Sequence, residues 1–293
     1  MRGTISDVNS SGRKRKINLR SQFFDDEVNY FKSFDGTPIY FEQFGSGEPP
    51  IVFVHGWTQN HSIWERPVYD LSKKFRTVTM DNRGMGYSGK PNSKYDFDEF
   101  SSDLRELILK LDLKSAVLVG WSMGVSISLR YYERFGADRI SKIALINGPI
   151  KLTSDAKFSH SNMTTSDLEK ILKDRTDNRP ARESKFLGRG FHRPNPVATA
   201  WLTQVALMTP MHVAVRCVEN QAKLDMRDVL SKITVPTLVG YGRYDPFYPV
   251  SLGRYIRDSV KNSKLVIYEK SGHYPFLEES EKFSRDIEEL ALS

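Results

Sequence analysis

The run Val117-Leu118-Val119-Gly120-Trp121-Ser122-Met123-Gly124 constrains the fold of this chain more than any other segment. An apolar, β-branched stretch ends in Gly-x-Ser-x-Gly, and a helix-like stretch from Val125 to Phe135 follows at once. A strand can turn into a helix this sharply only if side chains are missing on both flanks of the apex. Gly120 and Gly124 meet that need. Ser122 is then lifted off the end of the strand, with the helix N-terminus beneath it, as in a nucleophile elbow.

The rest of the chain repeats the strand-then-helix rhythm. Apolar or alternating runs predict strands at Val28–Phe34, Ile39–Phe44, Ile51–His55, Thr77–Asp81, Ala116–Gly120, Lys142–Ile146, Thr237–Tyr241 and Lys264–Tyr268. Several are continuously apolar, as parallel strands covered on both faces should be. Helical patterns follow at Asp98–Leu111, Val125–Phe135, Val250–Val260 and Glu278–Leu292. The alternation predicts an α/β fold with a mostly parallel eight-stranded sheet flanked by helices. The first two strands have no helix between them, and Phe34-Asp35-Gly36-Thr37 reads as a hairpin turn that opens the sheet with an antiparallel pair.

Residues 150–230 break the rhythm. They are charged, lack a convincing strand and carry Pro180, Pro194, Pro196 and Pro210. Ser166 and Glu169 suggest a capping box for a helix through Leu172, with further helices at Val197–Met208 and Met211–Lys223. The expected organisation is a basic, disordered extension (1–27), a core (28–149 and 231–293) and a helical cap (150–230) inserted between strands six and seven.

With 293 residues and 39% hydrophobic content, the chain can bury one large core. No apolar run reaches the roughly 18 residues of a membrane span, and the N-terminus lacks a signal peptide's apolar segment, so a soluble cytoplasmic protein is expected. The single cysteine, Cys217, excludes an internal disulfide and a cysteine-rich metal site. The formal net charge of +7 is concentrated at one end. Residues 1–20 hold six basic residues against Asp7, which leaves +2 for the other 273 positions. The globular part is close to neutral, and no nucleic-acid partner is expected.

A serine hydroxyl needs a base to become a nucleophile at neutral pH. Of six histidines, only His273, in Ser271-Gly-His-Tyr-Pro275, lies close behind a late strand, where a loop can carry its ring over Ser122. The base needs a carboxylate to orient it. Asp245 ends Thr237-Leu-Val-Gly-Tyr-Gly-Arg-Tyr-Asp245, at the carboxyl edge of a buried strand, whereas Asp225 and Asp228 precede that strand and Asp258 falls within a helical pattern. Amide donors for a developing oxyanion are expected from Met123, directly after the nucleophile, and from Trp57 in the loop His55-Gly56-Trp57. His55 is expected to brace that loop. Such a site uses no metal and no organic cofactor.

Taken together, His55-Gly56-Trp57, Asp81-x-Arg83-Gly84-x-Gly86-x-Ser88, Gly120-x-Ser122-x-Gly124, Asp245 and Gly272-His273 resemble the α/β-hydrolase superfamily. The resemblance spans nearly the whole chain from about residue 28. It implies the α/β-hydrolase fold and a catalytic triad of Ser122, His273 and Asp245. Serine at the elbow separates the chain from haloalkane dehalogenases and epoxide hydrolases, which carry aspartate there. Within the superfamily it is similar to the carboxylesterase, cofactor-free haloperoxidase and carbon–carbon-bond hydrolase group. The Gly-Gly-Gly oxyanion signature of the hormone-sensitive-lipase branch is absent, because Trp57 and Thr58 follow Gly56.

The expected activity is hydrolysis of small-molecule carboxylic esters through an acyl-enzyme. Carbon–carbon-bond hydrolysis, perhydrolysis and a slow-turnover receptor remain open with the same residues, as does a monomeric or dimeric state. Gly84-x-Gly86-x-x-Gly89 has the form of a dinucleotide fingerprint, but Lys90-Pro91-Asn92-Ser93 follows it where a helix would be required. A surface loop beside the oxyanion turn is expected instead. In the cap, Met163, Phe186, Phe191, Trp201, Leu207, Met208 and Met211 are candidates for an apolar pocket; none is assigned as a substrate-binding residue.

Overall fold

The structure, a computed structural model, describes residues 5–8, 14–17 and 29–293, with backbone alone for the first two segments and for 174–177. Met1–Tyr30 and Phe31–Ser293 form separate units. In the first, strands β1 (Ile5–Val8) and β2 (Lys14–Ile17) pair antiparallel, with Ile5 opposite Ile17. The rest of the basic extension, whose disorder the sequence predicts, lies outside the described residues.

The second unit is built on one sheet, whose first strand begins at Tyr30, the last residue of the first unit. Its strands are β3 (Tyr30–Lys32), β4 (Pro38–Phe44), β5 (Ile51–Val54), β6 (Thr77–Met80), β7 (Ala116–Trp121), β8 (Ile140–Ile146), β9 (Thr237–Gly242) and β10 (Ser263–Tyr268). Their order is β10-β9-β8-β7-β5-β6-β4-β3. Pairing is parallel from β6 through β10 and antiparallel between β4 and β6. The strand expected at Val28–Phe34 is the shorter β3; Val28 itself lies outside the described residues. The turn Ser33–Thr37 closes through Ser33 N–H to Thr37 O at 2.9 Å.

Each central strand sends alternate side chains to opposite faces. Val52 and Val54 of β5, Leu118 of β7 and Leu145 of β8 pack with Leu104 and Leu107 of helix Phe97–Lys110 and Val125 and Leu129 of helix Met123–Phe135. Ile51 and Phe53, Val117 and Val119, and Ala144 and Ile146 face the other way, against Trp64, Val68, Phe283 and Ile287. This double covering is why β5, β7 and β9 are buried at every position. Helix Glu65–Leu71 follows β5 on one face, and helix Met123–Phe135 follows β7 on the other. A crevice therefore opens at the carboxyl ends of adjacent β5 and β7, where open α/β sheets bind their ligands.

Between β8 and β9, helices span Thr165–Asp177, Arg179–Gly188, Pro196–Leu207, Met211–Ala222 and Arg227–Leu230. The first starts two residues earlier than expected. Thr164 Oγ1 accepts the Asp167 amide at 3.1 Å, and Asp167 Oδ2 accepts the Thr164 amide at 3.0 Å, so Thr164 and Asp167 form the capping box in place of Ser166 and Glu169. Helix Arg179–Gly188 was not anticipated, because Pro180 reads as a breaker. It occupies the first helical turn, where no intrahelical N–H is needed.

The loop 81–89 also departs from expectation. It is not a surface loop: residues 81–86 are buried, and Arg83 is fully so. The Arg83 guanidinium donates to both oxygens of Asp103 at 2.6 Å and to Asp35 at 2.9 Å. Burial of the guanidinium is more than offset by these partners, so the Arg83 pKa is raised. The glycines there meet packing needs, with Gly84 and Gly86 both at positive φ.

Candidate active site

Ser122 sits between β7 and its helix at φ 55°, ψ −121°, a conformation rarely held outside such bends. The strain is held by neighbours on both sides. Ser122 N–H donates to Ile146 O of β8 at 3.0 Å, and Val125 N–H closes onto Ser122 O at 2.9 Å. A Cβ on Gly124 would run into the Val54 carbonyl of β5, and one on Gly120 would lie 2.5 Å from Gly124 O and from Ser128 Oγ. Both elbow glycines are thus required by close packing. Ser122 is half-buried, and its hydroxyl makes no hydrogen bond with any described residue.

Asp245 follows β9 in a tight turn. Its Oδ1 accepts the amides of Phe247 at 2.8 Å and Tyr248 at 3.1 Å. Oδ2 accepts the Asn147 side-chain N–H at 2.5 Å and faces His273 Nδ1 at 2.8 Å. Asn147, at φ 42° just past β8, also takes the Gly242 amide on its Oδ1 at 3.3 Å. It is a buried member of the site that sequence reasoning missed. A polar Asn-Gly pair directly behind the buried strand Ile143–Ile146 was the available signal.

The loop carrying His273 is fastened from three directions. The His273 amide donates to Gly190 O of the cap at 2.6 Å, and its carbonyl accepts the Trp121 indole N–H at 2.8 Å. Before it, the Gly272 amide donates to Glu278 Oε2 at 2.8 Å, while Glu278 Oε1 takes the cap amide of His192 at 2.7 Å. Burial raises the Glu278 pKa, against the lowering effect of these amides. Glu278 is a second residue the sequence reading passed over. Trp121 packs beneath the elbow, its ring 5.1 Å from that of His273 and 5.7 Å from Tyr274. It also borders the cavity over Ser122.

The loop after β5 approaches the elbow closely. A Cβ on Gly56 would stand 2.8 Å from Ser122 Cβ and 2.8 Å from the Trp121 ring. Beside it, fully buried His55 accepts the Asn82 amide on Nε2 at 2.9 Å, so its proton is on Nδ1, which donates to Gly56 O at 2.8 Å. Burial lowers the imidazole pKa to about 4, in keeping with this neutral bracing tautomer. The Trp57 indole donates to Ala214 O in the cap at 2.9 Å.

Ser122, His273 and Trp57 line one cavity of about 60 Å³, roofed by the cap. The ring of Phe247 stands edge-on to His273 at 5.1 Å, and Phe186 lies 4.7 Å beyond it. Of the seven apolar candidates, Met163 and Phe186 border the cavity. Phe191 is buried against Tyr274 at 4.5 Å, Trp201 packs on the core, and Leu207 and Met208 are exposed. Leu152, Leu168, Ile171 and Val218 are lining residues the sequence did not single out. Among the described residues, no group of three or more His, Cys, Asp or Glu side chains is arranged to hold a metal ion. Among them, too, no helix is long and apolar enough to cross a membrane.

Known proteins share this architecture. The AB hydrolase superfamily protein YisY of Bacillus subtilis is 30% identical over 268 residues, covering 90% of this chain and 99% of its own. Non-heme chloroperoxidase CPO-A1 of Kitasatospora aureofaciens is 31% identical over 273 residues, covering 87% and 96%. Among solved structures, the esterase EaEST of Exiguobacterium antarcticum superposes with a TM-score of 0.87 at 30% identity, covering 90% of this chain and 99% of that one. The profile of the alpha/beta hydrolase fold family matches residues 49–280, and the chain belongs to that family.

Proposed function

We propose that the protein hydrolyses carboxylic esters through a serine acyl-enzyme. The observation that carries this reading is the pairing of His273 Nδ1 with Asp245 at 2.8 Å, with Ser122 and His273 bordering the same cavity. In this reading Nε2 of His273 takes the Ser122 proton as Oγ attacks the ester carbonyl, then returns it to the leaving alcohol. Asp245, whose carboxylate is fixed by Phe247, Tyr248 and Asn147, holds the imidazole in the required tautomer and stabilises the cation. The amides of Trp57 and Met123 receive the oxyanion, supported by the close approach of Gly56 to Ser122 and by the place of Met123 as first residue of its helix. Water then attacks the acyl-enzyme with His273 again as base. Residues 150–230 act as the cap that selects the acyl or alcohol group, and the similarity to an esterase supports the substrate class.

The test is turnover of a 4-nitrophenyl acyl ester by Ser122→Ala and His273→Ala. Each should fall by roughly 10⁴–10⁶-fold. Retention of more than a tenth of wild-type activity in both variants overturns the assignment.

A further inference from the structure

A larger groove adjoins the catalytic cavity, and the charged residues described along it are mostly basic. It measures about 330 Å³ and shares Met163, Ile171, Phe186 and Phe247 with the cavity over Ser122. Beyond these four apolar residues its walls carry Lys170, Arg182, Lys185 and Arg189, from two cap helices and the turn that follows. Among the described residues that line it, the one acid is Asp167, whose carboxylate is the partner of Thr164 in the capping box. Arg189 reaches the ring beside the proposed base. Its guanidinium carbon is 5.9 Å from the centre of the Phe247 ring, which also stands 5.1 Å from the His273 imidazole. One aromatic ring thus separates a cation from the proposed base.

These features divide the accessible space into three zones. The cavity over Ser122 has room for only a few waters. An apolar neck leads out of it, and a wider cationic chamber follows. We infer that the groove selects esters in which an apolar stem of a few carbons joins the carbonyl to a terminal oxyanion, a carboxylate or a phosphate-type group. The stem fills the neck between Phe186 and Phe247, and the oxyanion meets Lys185 and Arg189. This inference rests on the ester-hydrolase reading and names the class of substrate for the same site. Attraction of this kind raises the encounter rate as well as binding, and salt screens it.

The experiment compares 4-nitrophenyl esters of adipic acid, of 5-phosphonopentanoic acid and of the neutral half-amide of adipic acid. All three share a leaving group and a stem. The wild-type enzyme should favour the anionic esters by about tenfold or more in kcat/KM at low salt, and about 0.5 M NaCl should erase most of that preference. The carboxylate and phosphonate arms show which oxyanion fits better. Lys185→Gln and Arg189→Gln should each lower the anionic-to-neutral ratio by about threefold, and the pair by more. Equal kcat/KM on charged and neutral esters in the wild type, or a preference insensitive to salt and to both substitutions, overturns the groove's role while leaving the hydrolase reading intact. Failure to turn over all three esters overturns both.

Discussion

Asp245 accepts four hydrogen bonds, two from backbone amides, one from Asn147 and one from His273. A carboxylate held in this way cannot swing, so the imidazole it orients has one stable pose. The turn proposed to receive the oxyanion is set with similar care. Gly56→Ala would place a methyl group 2.8 Å from Ser122 Cβ, and the displaced loop should lower kcat on a 4-nitrophenyl ester by about 10²-fold with the fold intact. His55, beneath that turn, makes a pH prediction. Its folded pKa is depressed by burial to about 4, against 6.5 for an ordinary imidazole. The unfolded chain takes up this proton first, so the contribution is full above pH 6.5 and is lost as pH falls toward 4. The gap corresponds to about 3 kcal/mol. Urea midpoints measured from pH 7 to 4 should therefore fall less steeply in His55→Gln than in the wild type. Ser122, Asp245 and His273, the residues proposed for catalysis, stand out in the sequence because each ends or follows a strand with an apolar pattern. Asn147 and Glu278 were not, since each is a single polar residue whose role depends on what the fold brings opposite it.

At the level of elements, the sheet was plain in the sequence because strands covered on both faces must be continuously apolar, as Ile51–Val54 and Ala116–Trp121 are. The cap was less plain. Its prolines mark helix starts at Pro180 and Pro196 instead of breaks, and its first helix is capped by Thr164 instead of Ser166. That difference can be measured. Thr164→Ala removes the Oγ1 acceptor and should destabilise the first turn of helix Thr165–Asp177 by about 1 kcal/mol, whereas Ser166→Ala should leave it nearly unchanged. Amide exchange at Asp167 and Leu168 reports the effect directly. The cationic groove escaped the sequence reading for a related reason. Lys170, Lys185 and Arg189 look like scattered solvated charge until two helices and a turn bring them to one wall.

For the molecule as a whole, a buried charge network lies apart from the proposed active site. Arg83 is buried, with Asp103 on two of its nitrogens and Asp35 on a third. Together they tie the loop after β6 to helix Phe97–Lys110 and to the opening hairpin turn. Arg83→Ala would strand the Asp103 carboxylate, whose pKa burial already raises, and should cost about 4 kcal/mol in urea unfolding. Arg83→Met combined with Asp103→Leu should recover much of that loss, because no buried charge is then left alone. The motif around Arg83 thus keeps the scaffold together, apart from the elbow, the acid and the histidine loop to which the proposed chemistry is assigned.

The stitching of the cap bears on how a substrate enters. One seam joins Gly190 and His192 to the His273 loop and Glu278, and another joins Ala214 to the Trp57 indole. Arg216 and Asn220 add a third seam to residues 92–95, and Asn162 a fourth to Pro246 and Phe247, beside the helix from Thr165 that borders both chambers. In the ester-hydrolase reading, reactant and product both travel along that helix, so the amino acids that sort incoming molecules and those that let spent ones go are the same few.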